Sequence, residues 1–501
     1  MPGKIPVPAD VDTLQWLCRQ FRRDLLDLTL HSGTGTSHIG GELSVVEILA
    51  VLFFHALRLD PTRPEWEGRD RFILSKGHAS AAMYVAMAWR GFFPRERLFD
   101  SSNRLHGILE EHVNLETPGA EIPTGSLGMG LSAGAGMAWG CRYLAEHEAA
   151  RPCGVYVVLS DDDCTEGQTW EAAMAASHFS LDNLIAVVDD NQRLVTSPTG
   201  QVMRLTPLDG KWESFGWHVQ GVDGHDVVEI REAVDVARRA ETAPGRPRVI
   251  LARTLKGKAS RSWRETTPGT QATCPRNSTG RPSRSWRDDG HSRGGRARLD
   301  AGGQPGFRGA FGEPGHPSGL RADADRGRAA RSARGRAGLS DGYPDHGHHL
   351  CPRVSPDGYE FRIGRATLLR EGRDITLIGS GLMVWRCLQA AETLAGEGVS
   401  VDVINVSTLK PLDQALIRER ARRTGAVVTA EHHTVLGGLG GAVAELLGEA
   451  NPVPLRRVGV RDRFGESAPL RDVLPEYGLT AEAVVDAAHE ALAAKDRSRG
   501  R

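Results

Sequence analysis

No two of the seven cysteines in this chain stand in a Cys-x-x-Cys pair. Cys18, Cys141, Cys153, Cys164, Cys274, Cys351 and Cys387 are scattered, which argues for reduced thiols in a cytoplasmic protein rather than a disulfide frame or a zinc site. The start, MPGKIPVPADVD, lacks the basic-then-apolar order of a secretion signal. No apolar run approaches the ~20 residues that a membrane-spanning helix needs, so no membrane partner is expected. An excess of one charge is lacking too: 62 Lys and Arg against 63 Asp and Glu leave a net charge of −1. A balance of that kind gives no electrostatic footprint for nucleic acid or a membrane surface.

The most uneven absence lies in the middle. From Ala259 to Arg353 there is no Ile, Val, Lys or Met, and Arg, Gly, Ser, Pro and Ala dominate. Such a segment cannot bury enough apolar surface to offset its ordering entropy, so a disordered Arg/Gly-rich middle is expected. Its Gly-Arg repeats are irregular and its aromatics few, which weighs against an RGG-like nucleic-acid tail. The chain therefore divides into residues 1–258, an unstructured middle over 259–356, and 357–501. Both ends read as α/β.

What is present is densest between Ser160 and Asn191, SDDDCTEGQTWEAAMAASHFSLDNLIAVVDDN. The apolar run Val155–Leu159 precedes it and reads as a buried parallel strand. Glu166–Ser177 is rich in Ala, Met, Glu and Gln and reads as a helix. Leu184–Val188 is a second apolar strand and ends in Asp189, Asp190 and Asn191. Parallel strands bring their carboxyl ends to one edge, where ligands bind. Asp161 and Asn191 can then converge on one hard cation, beside a helix N-terminus that suits an anion. The bland alternative is a solvated acidic turn.

This stretch resembles the thiamine-diphosphate motif of the transketolase family, which begins Gly-Asp-Gly and ends at an Asn. Glu166, Gly167, Gln168, Trp170, Glu171, Ala172 and Ala173 match the run that follows in the family. The resemblance implies thiamine diphosphate and Mg²⁺ as cofactors, with Asp161, Asn191 and the backbone carbonyl of Arg193 on the metal. Asp162 and Glu166 would lie at the cofactor. The two family glycines are Ser160 and Asp162 here, and Asp162 places a second carboxylate near the diphosphate.

Three further pieces resemble the family's N-terminal domain. Thr36-Ser37-His38 stands for its Ser-Gly-His, ahead of a helix expected to start near Ser44. Gly77-His78 follows Arg69-Asp70-Arg71-Phe72, and His112 lies six residues before Pro118. Glu111 occupies the place of another family glycine. The match implies that His38, His78 and His112 line the reactive end of the cofactor and orient sugar hydroxyls. Imidazole suits that work because it exchanges protons near neutral pH. Gly125, Ser126 and Leu127 correspond to a turn on the aminopyrimidine ring, although alone TGSLGMG is only a Gly-rich helix entry.

From Tyr359 the chain resembles the family's C-terminal domain, through Lys410-Pro411-Leu412-Asp413 and Arg461-Asp462-x-Phe464-Gly465-Glu466-Ser467. Glu431, His432 and His433 read as structural rather than as metal ligands. The central pyrimidine-binding domain, with the glutamate that protonates the cofactor's pyrimidine ring, is not found. Shifted by one base, the codon junctions from Lys258 to Pro275 permit the Phe-Met-Glu and Trp-His with which the family continues. The frame is thus expected to slip near Lys258 and return before Tyr359.

The implied activity is transfer of a two-carbon ketol unit between sugar phosphates by a cytoplasmic homodimer, impaired in this polypeptide. Rival readings are a deoxyxylulose-phosphate or dihydroxyacetone synthase, an inactive remnant, or a scaffold that uses the Arg-rich middle to bind RNA.

Overall fold

The computed structural model describes residues 5, 7–34, 37–148, 150–194, 197–258, 342–344, 350–356 and 358–499. The expected frame slip and most of the expected disordered middle fall outside the described residues. Within that middle, Gly342–Pro344 and Leu350–Pro352 pair as two short antiparallel strands.

In the N-terminal part five strands form one parallel sheet: β1 (Arg71–Leu74), β2 (Val155–Ser160), β3 (Leu184–Asp190), β4 (His218–Asp223) and β5 (Arg248–Arg253). Their order is β1-β2-β3-β5-β4, and every pairing is parallel. All six residues of β2 are buried, as are all but the last of β3. Strands covered on both faces read as continuous apolar runs, which is why these two were legible.

Alternate residues of each strand feed opposite cores, as the two-residue side-chain period demands. Tyr156, Val158, Ile185 and Val187 pack with helices α1 (Val11–His31), α3 (Val46–Val51), α4 (Ser80–Arg90) and α7 (Val227–Ala237). Val155, Val157, Leu159 and Ala186 pack against α5 (Met129–His147) and α6 (Gly167–His178). Asp10 caps α1 by accepting from Thr13 N at 2.8 Å. The helix expected near Ser44 instead starts earlier: α2 spans Ile39–Ser44, and Val45 (φ −97°, ψ 4°) separates it from α3. The glycines Gly40 and Gly41 do not delay the helix, because α2 is buried at Ile39, Glu42 and Leu43 and tertiary packing overrides propensity.

The C-terminal part is a second α/β sheet. Its strands are β6 (Thr367–Arg370), β7 (Ile375–Gly379), β8 (Val401–Asn405), β9 (Val427–Thr434) and β10 (Leu455–Val460), in the order β6-β8-β7-β9-β10. β6 runs antiparallel to β8 and the other pairings are parallel. Helices α8 (Met383–Gly396) and α11 (Ala481–Arg499) cover one face. Helices α9 (Gln414–Thr424) and α10 (Leu439–Ala450) cover the other.

The expectation of reduced thiols throughout needs a correction. Cys141 on α5 and Cys153 before β2 form a disulfide, with Cα atoms 6.1 Å apart. Spacing along the chain could not show this, because the pair closes across the packing of α5 on the sheet. Cys18, Cys164 and Cys387 are free and buried. Among the described residues no helix is long and apolar enough to cross a membrane.

Candidate functional site

Three strand ends and one helix end meet at the Asp189 carboxylate. Its carboxylate accepts from Lys76 Nζ after β1, from Ser44 Oγ at the end of α2, from Thr254 Oγ1 after β5 and from Asn191 Nδ2 at 3.2 Å. Burial alone would raise the Asp189 carboxyl, yet Lys76 and these hydrogen bonds hold it below the ordinary aspartate value. Asp189 is therefore a fixed anion that organises the sheet edge. Lys76 lies between β1 and His78, and nothing in the sequence spacing reveals a partner 113 residues away.

Asp161 and Asn191 follow neighbouring strands. The backbone N–H groups of both donate to Asp189 O, at 3.3 and 3.1 Å. Asp161 is fully buried. Its Oδ2 accepts from Thr199 Oγ1 at 3.0 Å, and its Oδ1 has no hydrogen-bond partner. Burial, then the neighbouring Asp162 and Asp189, push its carboxyl up to about 7. Asn191 Oδ1 accepts from Arg193 N at 3.2 Å, which folds the Asn191–Arg193 turn back on the strand end.

Asp162 is buried and its Oδ1 also lacks a partner. Burial raises its carboxyl, against the pull of Lys256 and Lys76. Its backbone is helical (φ −57°, ψ −45°). Conformation alone thus does not call for a glycine at this position; only close approach of a ligand would. Asp163 is structural: it accepts from Ser75 Oγ (2.7 Å), Gly128 N (2.8 Å) and Ser160 N (2.8 Å). Glu166 is exposed at the N-cap of α6 and makes no capping bond.

The three histidines come together. The His38 ring centroid lies 5.6 Å from that of His78 and 5.9 Å from that of His112. A close backbone approach makes this possible. A Cβ on Gly77 would stand 2.6 Å from Gly125 N, and one on Gly125 (φ +156°) 3.0 Å from His112 Cδ2. Gly125 is thereby pressed onto Gly77 and the His112 ring, with Ser126 exposed and Leu127 half-buried. Burial, then His112, Lys256 and Lys76, push the His38 imidazole down to about 4. Burial, with Lys76 and His38, likewise pushes His78 well below the usual histidine range. Both rings are neutral at physiological pH and act as hydrogen-bonding groups. Glu42, which sequence reading missed, is a fully enclosed carboxyl four residues past His38.

In the C-terminal part Glu431 accepts from Leu439 N (2.7 Å) and Gly440 N (2.8 Å), capping α10. That is the structural role read for it. Among the described residues no group of three His, Cys, Asp or Glu side chains is arranged to hold a metal. A site at Asp161 and Asn191 would draw on amide and carbonyl oxygen instead.

A parallel sheet that presents acidic strand ends beside a histidine cluster is the layout of a cofactor-binding α/β domain. Residues 23–273 match the transketolase thiamine diphosphate binding domain, and residues 364–484 match the transketolase C-terminal domain. The 6-deoxy-6-sulfo-D-fructose transketolase subunit SqwG of Clostridium sp. is 44% identical over 227 residues, 45% of this chain and 79% of that protein. Subunit SqwH of the same organism is 54% identical over 145 residues, 29% of this chain and 45% of that protein. The transketolase of Campylobacter jejuni superimposes with a TM-score of 0.49 at 17% identity, over 95% of this chain and 99% of that one. The chain belongs to the transketolase family of ketol-transferring enzymes.

Proposed function

We propose that this chain binds thiamine diphosphate with Mg²⁺ at the carboxyl ends of β2 and β3, and serves two-carbon ketol transfer between sugar phosphates. Asp161, Asn191 and the Arg193 carbonyl would hold the metal. His78, the Gly125–Leu127 turn, Asp162 and Glu166 would face the cofactor. When bound, thiamine diphosphate supplies the nucleophilic carbon that cleaves a ketose. The rings of His38, His78 and His112 would orient sugar hydroxyls and move their protons.

The observation that carries this reading is Asp161 Oδ1, a buried carboxylate oxygen without a partner at the sheet edge where Asn191 also lies. A buried charge is costly unless it is paired or coordinates a metal. A hard cation with oxygen ligands satisfies it. The donor set therefore fits the group.

The pyrimidine-side glutamate has no counterpart in residues 259–356 as written, so this polypeptide alone is read as impaired. A homodimer would not restore that group; a second chain, as the subunit naming of the Clostridium relatives suggests, could. Calorimetric titration with thiamine diphosphate and Mg²⁺, paired with a coupled ketol-transfer assay, tests the reading. Binding without turnover is expected. Absence of binding at millimolar cofactor sinks it, and turnover by the chain alone removes the impairment.

A further inference from the structure

A cavity of about 20 Å³ lies where the loop before α2 meets α4 and the loop that carries Ser102 to Glu111. Four of its lining residues own a buried polar atom with no hydrogen-bond partner: His38 Nδ1, Glu42 Oε2, Ser102 Oγ and Asn103 Oδ1. Glu42 is 2% exposed. Buried polar atoms are nearly always satisfied, so four orphans on one cavity point to a ligand they share. The volume suits one water molecule, which needs two to four polar partners.

The donor count agrees. Asn103 Nδ2 already donates to Thr34 Oγ1 at 3.3 Å, which leaves Oδ1 as the acceptor. A protonated Glu42 and the Ser102 hydroxyl can each give a hydrogen; His38 Nδ1 and Asn103 Oδ1 can each take one. Water meets that demand with two hydrogens and two lone pairs. Glu111 Oε1 lies 3.6 Å from His38 Nδ1, too far to occupy the nitrogen.

We propose that a water bound in this cavity joins Glu42 to His38 Nδ1, and that Glu42 is the positioning residue through which His38 exchanges protons. This rests on the reading above for placing His38 at the sugar. As Nε2 of His38 gives its hydrogen to a substrate oxygen, the Glu42 O–H bond breaks toward the water. The water passes one of its own hydrogens to Nδ1. The ring ends neutral in its other tautomer and Glu42 ends as a carboxylate; the reverse step restores both. The route spares His38 from becoming a cation, a state its surroundings oppose. Burial pushes Glu42 up to about 8, against Ser37, the His38 backbone and Lys76, so its proton is in place at neutral pH. The other ionisable groups around the cavity are Glu110, Glu111 and Tyr84. Ser37, which stands where the family has glycine, bonds the Glu42 carboxyl and pairs with Thr29 Oγ1 at 2.9 Å.

Infrared spectroscopy and ¹⁵N-imidazole NMR on the full chain, without cofactor, test the link. At pH 7 the wild type is expected to show a neutral-carboxyl band that Glu42→Gln loses. His38 Nδ1, assigned with His38→Gln, is expected to resonate as an unprotonated nitrogen and to shift in Glu42→Gln. Both signals should change together as pH passes through about 8 in the wild type. This wild-type step decides the matter even if Glu42→Gln does not fold. A band that survives Glu42→Gln, or a His38 signal indifferent to the pH step, overturns the proposal. Failure of cofactor binding in the calorimetry sinks the functional reading alone, because these spectra involve no cofactor.

Discussion

Lys76 Nζ donates to Asp189 Oδ2 at 2.5 Å, and neither side chain has any exposed surface. The pair ties the end of β1 to the end of β3, and Asn191 donates to the same Asp189 carboxylate. Lys76 Nζ also donates to Gly41 O at 3.1 Å, which adds α2 to the same knot. Removing one partner of a buried pair leaves an uncompensated charge, at a cost of ~3–5 kcal/mol. Lys76→Met is therefore expected to lower the unfolding free energy by that order in urea titration. The double variant Lys76→Met/Asp189→Asn should recover part of the loss. If the double variant is no more stable than Lys76→Met, the ion pair is not what holds the edge.

Asp162 sets the next expectation. Two carboxylate-sized charges ~4 Å apart repel by roughly 4 kcal/mol at an effective dielectric of about 20. A diphosphate bound beside Asp162 meets part of that repulsion. Asp162→Gly is expected to tighten thiamine diphosphate at least ~10-fold, since ~1.4 kcal/mol suffices for that factor. Calorimetry at fixed Mg²⁺ reads it directly. A weakened affinity would instead mean that the Asp162 carboxylate serves as a metal ligand.

Glu42 gives stability a pH dependence whose sign can be worked out. Its carboxyl is raised from 4.5 to about 8 in the folded chain. Between those values the folded state keeps a proton that the unfolded state has released. Its contribution to stability is full below 4.5 and falls as pH rises toward 8, at up to ~1.4 kcal/mol per pH unit. Thermal unfolding across pH 5 to 9 should show this decline, and Glu42→Gln should flatten it. Equal slopes for both chains would show that Glu42 is ionised in the fold.

The parts that were legible share one physical trait: their signal is local. β2 and β3 announced themselves because both of their faces are buried, leaving unbroken apolar runs. That the acids after these strands lie at one edge followed from the rule for parallel sheets. The start of α2 was misplaced because burial of Ile39 and Leu43 outweighs the two glycines between them. Lys76–Asp189, Cys141–Cys153 and the orphan atoms around Glu42 were invisible for a different reason. Each is a relationship between segments that only the folded chain brings together, and no composition or periodicity encodes it.

Glu431 separates the chemistry of the two ends. Its carboxylate takes two backbone N–H groups at the start of α10, where unsatisfied donors and the helix dipole both favour an anion. The fit is tight: a Cβ on Gly438 would come within 2.9 Å of Glu431 Cδ. Glu431→Ala is expected to cost about 1–2 kcal/mol, the usual worth of a good cap. Hydrogen exchange should localise the loss to β9 and α10, leaving the amides of β2 and β3 as protected as before. Thiamine diphosphate and Mg²⁺ affinities should stay within twofold, because the Asp161 and Asn191 strand ends keep every contact they have. A metal affinity that drops in Glu431→Ala would contradict the structural role and reopen Glu431, His432 and His433 as ligands.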